Sequence, residues 1–170
     1  KTISPKTSRD HWKGKFETIA ENIINKIKFM KSGDLLNLYA RELSAECLKL
    51  VTGLTNMTAG EMDRVSQGMI NGCANYTGDE KIEGYCHNCT QSIDAHINEM
   101  ISKIKNSDLS LISTMLEGNL STEQISANIK LAISGGQNEP RDAIAGCIWA
   151  ALNFGLKEHL FEKRNWGQLF

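Results

Sequence analysis

Proline, aromatic residues and net charge are all scarce in this sequence of 170 residues. It has two prolines, 6% aromatic residues and a formal net charge of −1. A charge this close to zero argues against the basic stripe of a nucleic-acid-binding protein, and the lysines are scattered along the chain. No apolar run approaches the length of a membrane span. We therefore expect an ordinary globular chain with no nucleic-acid partner and no membrane span.

Signals for secretion and for metal binding are also missing. The five cysteines, an odd number without a visible secretory signal, indicate reduced thiols and a cytoplasmic location. The group Cys86-His87-Asn88-Cys89, with Cys73 upstream, has the residue types of a zinc site. Its two cysteines fall, however, on the apolar stripe of a helical pattern, where cysteine packs as a small hydrophobic residue. Covalent haem attachment is excluded too, because Thr90 stands where that motif requires a histidine. We therefore expect Cys86 and Cys89 to be structural and assign no metal ligand within the chain.

Helical periodicity dominates the rest of the sequence. Apolar residues recur at intervals of three and four, which is typical of amphipathic helices. The stretches with this pattern are residues 8–31, 43–54, 79–105, 109–117 and a short tail helix that ends near Lys163. One short stretch, residues 34–39, instead alternates Leu36 and Leu38 on one face and predicts a strand. The fold class is therefore expected to be mainly α, and the length is that of a single domain.

Two helix starts carry capping signals. Thr58 is followed three residues later by Glu61, and Ser121 is followed three residues later by Gln124. In such a capping box the hydroxyl accepts a hydrogen bond from the backbone N–H three residues on, and the longer side chain bonds back. We expect Thr58 to begin one helix and Ser121 to begin the last long one.

Residues 134–140, with the sequence Ser-Gly-Gly-Gln-Asn-Glu-Pro, interrupt this last long helix. Two glycines and a proline in a helix interior cost about 5 kcal/mol in summed propensity. Pro140 has no N–H to donate to the carbonyl of Gly136, and it disfavours helical angles at Glu139. We therefore expect an opened or kinked turn where Asn138, Glu139 and free carbonyls gather. The alternative is an ordinary turn between two helices.

The same residues resemble a motif of the cytochrome P-450 family, the haem-thiolate monooxygenases. The family's central helix carries the pattern Ala/Gly-Gly-x-Asp/Glu-Thr. Gly135 and Gly136 match the first two positions, while Asn138 falls on the acid and Glu139 falls on the threonine. The likeness continues over further stretches of the chain. They are residues 2–6, 43–48, 143–152 and 156–163.

Two signatures of that family are missing from the sequence. No Glu-x-x-Arg pair occurs downstream of the motif, and no Phe-x-x-Gly-x-x-x-Cys-x-Gly haem loop occurs anywhere. The resemblance covers nearly all 170 residues, yet they correspond only to the middle of the family's chain. We interpret residues 1–170 as an internal fragment of a single cytochrome P-450 domain that lacks the N-terminal part and the haem-ligand loop. The axial cysteine would then lie outside this chain.

The resemblance implies a soluble, bacterial-type haem-dependent monooxygenase that inserts one oxygen atom of dioxygen into a small organic substrate. Its cofactor would be haem b, and its electrons would come from a partner such as a ferredoxin and its reductase. Glu139 and Asn138 would be the catalytic residues, because Glu139 can donate and accept protons and Asn138 can orient a water. The residues implied to line the haem are Leu131, Ala132, Gly135, Gly136 and Ala143.

The resemblance also implies that residues 71–76 and 79–85 cover the substrate. A second function stays open, a non-enzymatic helical ligand-binding or regulatory module. The coding sequence after Phe170 distinguishes the two, because the two missing signatures of a monooxygenase would stand there.

Overall fold

The computed structural model describes residues 2–104 and 108–154, and within these ranges the chain is mainly α and contains no strand. The expected fold class is confirmed at this level. The helices of the described ranges are α1 Pro5–Thr7, α2 Lys13–Ile27, α3 Arg41–Thr52, α4 Ala59–Cys73, α5 Glu80–Ile101, α6 Leu111–Glu117, α7 Thr122–Gly136 and α8 Asn138–Asn153. Two π-helical turns, Ser8–Trp12 and Leu36–Ala40, lead into α2 and α3. The tail helix expected to end near Lys163 falls outside the described residues.

Helix α1, the first π-helical turn and α2 form one helical run, in agreement with the first expected helix. Ser4 Oγ accepts a hydrogen bond from the backbone N–H of Thr7 at 3.1 Å, and Pro5 occupies the first helical position, where no N–H is needed. Trp12 is buried, and its indole Nε1 donates to the carbonyl of Thr2 at 2.8 Å. This bond ties the N-terminal residues to the helical run.

The strand expected over residues 34–39 is wrong. The chain forms a π-helical turn over Leu36–Ala40 that continues directly into α3. The cause is local, because Asp34 Oδ1 accepts from the backbone N–H of Leu36 at 2.9 Å, and the Asp34 carbonyl accepts from the N–H of Leu38 at 2.8 Å. The aspartate thus begins a helical turn in the manner of an N-cap. Two alternating leucines are too short a pattern to outweigh it.

Both expected helix starts are confirmed, one of them with the complete capping box. Ser121 Oγ accepts from the N–H of Gln124 at 3.3 Å, and Gln124 Oε1 accepts from the N–H of Ser121 at 2.9 Å. Thr58 Oγ1 accepts from the N–H of Glu61 at 3.1 Å. The carboxylate of Glu61 turns to Arg64 instead of bonding back, with Oε1 accepting from Nη2 at 2.6 Å. Only half of the box therefore forms at α4.

The core lies between α3, α4, α5, α6 and α7. Its largest fully buried side chains include Leu54, Met62, Val65, Ile93, Ile97, Ile112, Ile125, Ile129 and Ile133. The buried isoleucines of α5 and α7 recur every four residues, as expected for one face of a helix. Both helices contact α4.

Helices α4 and α5 approach closely through two glycines of α4. A Cβ on Gly68 would overlap Cys89, and a Cβ on Gly72 would overlap Cys86. Cys89 is a fully buried core residue, as expected of a structural cysteine, whereas Cys73 is exposed. In the described ranges, no group of three or more His, Cys, Asp or Glu residues is placed to hold a metal ion. No helix in the same ranges is long and apolar enough to cross a membrane.

Candidate functional site

The interruption of the long C-terminal helix is confirmed, and it is confined to one residue. Helix α7 ends at Gly136 and α8 begins at Asn138, so that only Gln137 lies between them. Pro140 falls in the first turn of α8, where the backbone N–H groups have no intrahelical partner and a missing donor costs little. Glu139 consequently stays helical, and the expectation that Pro140 moves it off helical angles is wrong.

Gln137 connects this break to α3 and α4 through hydrogen bonds. Its side chain is fully buried, and Nε2 donates to Asp63 Oδ1 at 3.2 Å and to the carbonyl of Arg41 at 3.4 Å. The carbonyl of Gln137 in turn accepts from Ser44 Oγ at 2.7 Å. The break is therefore held by α3 on one side and by α4 on the other.

Asp63, on α4, forms ion pairs with two arginines around the break. Its Oδ2 lies 3.9 Å from Arg41 Nη1, and its Oδ1 lies 3.9 Å from Arg141 Nη1. Arg141 also donates from Nε to Asp142 Oδ1 at 2.8 Å. The hydrogen bond and the charge of Asp142, with Asp63 contributing less, raise the pKa of the Arg141 guanidinium. One carboxylate thus faces two permanent cations and an amide.

Two side-chain oxygens at the break are buried without a hydrogen-bond partner among the described residues. They are Gln137 Oε1 and Asn138 Oδ1, which belong to consecutive residues. Buried acceptors are nearly always paired in folded proteins, with protein groups or with ordered water. These oxygens are therefore places where a donor from a water or a ligand would be bound.

The outer side of the break presents a row of residues that sequence reasoning assigned to the cofactor site. Leu131 and Gly135 are four residues apart on α7, Glu139 and Ala143 are four residues apart on α8, and all four, hereafter the open stripe, are exposed. Leu131 is 72% exposed. A Cβ on Gly135 would have no atom within 4 Å. The open stripe is thus a shallow surface of small and apolar groups with one carboxylate.

The other three residues assigned to the site lie beside the open stripe or behind it. Ala132 and Asn138 are half-buried at its edge. Gly136 packs inward, since a Cβ there would lie 2.8 Å from Leu48 Cδ1. The segments expected to cover a substrate, residues 71–76 and 79–85, lie at the turn between α4 and α5, where Tyr76 is 93% exposed.

An apolar cavity of about 480 Å³ lies on the inner side of the break. Gly136, Pro140 and Ile144 line it from the break, and residues of α2 and α3 complete its walls. Among these, Cys47 is half-buried, and burial raises the pKa of its thiol to about 12. The break therefore has an open outer side and a concave apolar inner side.

Sequence reasoning missed Gln137 and Asp63. Gln137 occupies the variable position of the motif, and Asp63 follows Met62 on the apolar side of α4, so neither attracts attention alone. One feature of the sequence could have revealed Asp63: Asp63 and Ser66 are polar residues three positions apart, beside the buried face of α4. Both bond to the long C-terminal helix, since Ser66 Oγ donates to the carbonyl of Ile133 at 3.3 Å. No protein-family model matches the chain.

Proposed function

We propose that this chain forms the distal wall of the haem site in a haem-dependent monooxygenase, as the middle part of a single cytochrome P-450 domain. The observation that carries the proposal is the open stripe. Leu131 and Gly135 of α7 and Glu139 and Ala143 of α8 are exposed on the two sides of a helix break, and Glu139 is the carboxylate among them. The opposite side of the break is fixed by the buried amide of Gln137, so the surface is held in one orientation.

The residues fit one face of a haem. A flat apolar ring needs a place where it can approach the backbone, and at Gly135 there is free space for an approaching group. Leu131 and Ala143 would contribute apolar contacts that are now exposed. None of the five cysteines sits in a glycine-rich haem loop, so the thiolate ligand would come from another part of the protein. When bound, the haem supplies the oxygen-activating chemistry.

Glu139 and Asn138 have different chemical abilities at this surface. The Glu139 carboxylate is exposed on the open stripe and can take up or release a proton. The amide of Asn138 cannot carry a proton, but its buried, unpaired Oδ1 can accept a bond from a water or a substrate group. Glu139 would thus transfer the proton, and Asn138 would orient the water or substrate group that exchanges protons with it.

The remaining parts of the reaction follow from the same proposal. The substrates would be dioxygen and a small organic molecule, covered by the turn between α4 and α5. The electrons would come from a redox partner such as a ferredoxin with its reductase. A cytoplasmic location agrees with the free cysteines of the described residues.

The carbon-monoxide difference spectrum of the intact, reduced protein tests the proposal. We expect a thiolate-type Soret band. Gly135→Val should weaken haem binding by about tenfold or more, because overpacking costs about 1–3 kcal/mol. Gly14→Val is the matched control, since a Cβ on Gly14 of α2 also meets no atom within 4 Å. Absence of haem from the intact protein, or equal binding by both variants, would contradict the proposal.

The cavity favours one alternative, a non-enzymatic helical module that binds a small apolar ligand. Its volume of about 480 Å³ and its apolar walls suit such a ligand. Ala20→Trp would fill the cavity from α2 and should abolish binding of an apolar fluorescent dye. Dye binding that is lost in this variant, in an intact protein that takes up no haem, would favour the module over the monooxygenase.

A further inference from the structure

Helix propensity alone leaves the position of the break undetermined. The two glycines and Pro140 weaken the helix over several residues, yet the interruption falls at Gln137. Pro140 removes the hydrogen bond to the carbonyl of Gly136 and so weakens the whole turn that contains Gln137, yet the Gln137 backbone keeps right-handed angles with φ −97° and ψ −51°. What distinguishes Gln137 is the contact of its side chain with α4.

We propose that Asp63 is a positioning residue, which acts through the buried amide of Gln137 to fix where the helix breaks and which way Asn138 and Glu139 face. Its effect on the reaction rests on the function proposed above, whereas its effect on the break does not. Asp63 touches neither residue of the proposed catalytic pair in the described structure.

The buried side chain of Gln137 ties the orientation of the break to α3 and α4. A buried carboxamide without partners is expensive, and its two N–H groups find acceptors only in Asp63 Oδ1 and the Arg41 carbonyl. Gln137 must therefore point inward, toward α3 and α4. Because successive helical residues are about 100° apart around the axis, this orientation turns Glu139 to the outer side, where it is exposed.

Asp63 contacts two positions at the start of α8. Gln137 and Arg141 are four residues apart and lie on the same side of the helix. Asp63 Oδ1 lies 3.2 Å from the amide of Gln137 and 3.9 Å from the guanidinium of Arg141. A single carboxylate thus sets both the start of α8 and the rotation of its first turn.

The chain offers a matched control on the other side of the break. Asp94, on α5, contacts two positions of α7 that are also four residues apart. It accepts from Ser126 Oγ, and its Oδ2 lies 2.7 Å from Lys130 Nζ. Asp94→Asn therefore removes an interhelical carboxylate of the same kind without touching the break.

Hydrogen–deuterium exchange of the intact protein tests the positioning. Asp63→Ala should speed exchange of the amides of residues 137–139, 141 and 142 by about tenfold or more, the scale of one lost charged hydrogen bond. Asp63→Asn keeps an acceptor for Gln137 but loses both arginine pairings, so its effect should be smaller. Asp94→Asn should leave these amides unchanged. Unchanged exchange in Asp63→Ala, or an equal rise over all helices, would overturn the proposal.

A reciprocal exchange of side chains keeps the test decisive if Asp63→Ala fails to fold. Gln137→Glu alone places two carboxylates in contact and should speed exchange at the break. Gln137→Glu combined with Asp63→Asn restores an acid–amide pair, with the acid now on the break beside Arg41 and Arg141. The double variant should recover most of the protection. A double variant that is no better protected than Gln137→Glu alone would contradict the proposal.

The haem-loaded protein tests the consequence for the reaction. Asp63→Asn should raise the ratio of peroxide released to product formed several-fold, with little change in the KM for substrate, because proton delivery is misdirected while substrate contacts persist. Asp94→Asn should not alter that ratio. If exchange at the break changes and the ratio does not, the role of Asp63 in the reaction is overturned and the haem proposal stands. If the intact protein takes up no haem, the haem proposal fails, and the exchange measurements still decide the positioning.

Discussion

Gly53 at the end of α3 and Ser110 at the start of α6 approach so closely that a Cβ on Gly53 would lie 2.7 Å from Ser110 Oγ. Gly53 also has φ +93°, in the left-handed region that favours glycine. Ser110 Oγ in turn accepts the N–H of Ser113 at 3.3 Å and caps α6. The contact therefore joins the end of one helix to the start of another.

Gly53→Ala should destabilise the protein by about 2–4 kcal/mol, because left-handed strain and overpacking against Ser110 add together. Gly78→Ala is the control, since Gly78 also has positive φ, +69°, but open space around its Cβ position. That variant should lose about 1–2 kcal/mol through backbone strain alone. Urea denaturation measures both changes. Equal losses in the two variants would show that Ser110 does not limit the space.

Stability should fall in acid partly through Glu61. Hydrogen bonds from Arg64 and Ser92, opposed by some desolvation, hold the pKa of Glu61 below its usual value of 4.5. A carboxyl with a lowered pKa in the folded state stabilises the fold above its unfolded pKa. This contribution is lost as the pH falls through the folded value. Glu61→Gln should remove about 0.5 kcal/mol at neutral pH, the scale of a partly exposed ion pair, and less in acid.

Urea midpoints at neutral pH and at about pH 3 measure this difference. Glu83→Gln is a suitable control, because Glu83 of α5 makes an exposed contact with His87 at 3.6 Å. A Glu61→Gln deficit that does not shrink in acid would assign the effect to lost packing rather than to the charge.

The five thiols should separate into reactivity classes at about pH 8. Cys73 and Cys147 are exposed and should react quickly with Ellman's reagent. Cys47 should be among the last, because burial raises the pKa of its thiol to about 12 and leaves almost no thiolate. Cys147→Ser should remove one of the two fast equivalents, and guanidinium should expose all five. Fast labelling of Cys47 in the folded protein would contradict this prediction, because it would show that the negatively charged reagent enters the apolar cavity and finds a thiolate there.

Under the proposed function, Glu139→Gln should reduce product formation by about 10²–10⁴-fold and raise peroxide release, since the proposed proton-transferring group is removed with its shape kept. Glu123→Gln is the control, because Glu123 is exposed at the other end of α7. Product rates and peroxide yields from the two variants make the comparison. Unchanged turnover and coupling in Glu139→Gln would leave water alone as the proton carrier.

The predictable parts of the fold are those encoded by neighbouring residues. Ser121 and Gln124 specify a helix start within four positions, and the capping box forms as expected. The same kind of reasoning gave a wrong strand for residues 34–39, because the hydrogen bonds of Asp34 outweighed an alternation of only two leucines. Short patterns are decided by single polar residues, which periodicity does not weigh.

The candidate site divides in the same way. The break between α7 and α8 follows from two glycines and a proline within six residues of the sequence. The role of Gln137 depends on Asp63, which lies 74 positions away in sequence. Contacts at such separation are set by how α4 packs on α7 and α8. No local pattern contains that information.

None of the residues of α8, which is described along its whole length, is buried. A helix in a protein gains most of its stability from packing one face against the core, whereas α8 packs against α3, α7 and the turn Leu36–Ala40 without a buried residue and leaves Trp149 and Leu152 exposed. Under the proposed function, haem bound at the open stripe would stabilise the folded α8, and each tenfold increase of haem over its dissociation constant would add about 1.4 kcal/mol. The affinity for haem would then be readable from the protection of the backbone of α8.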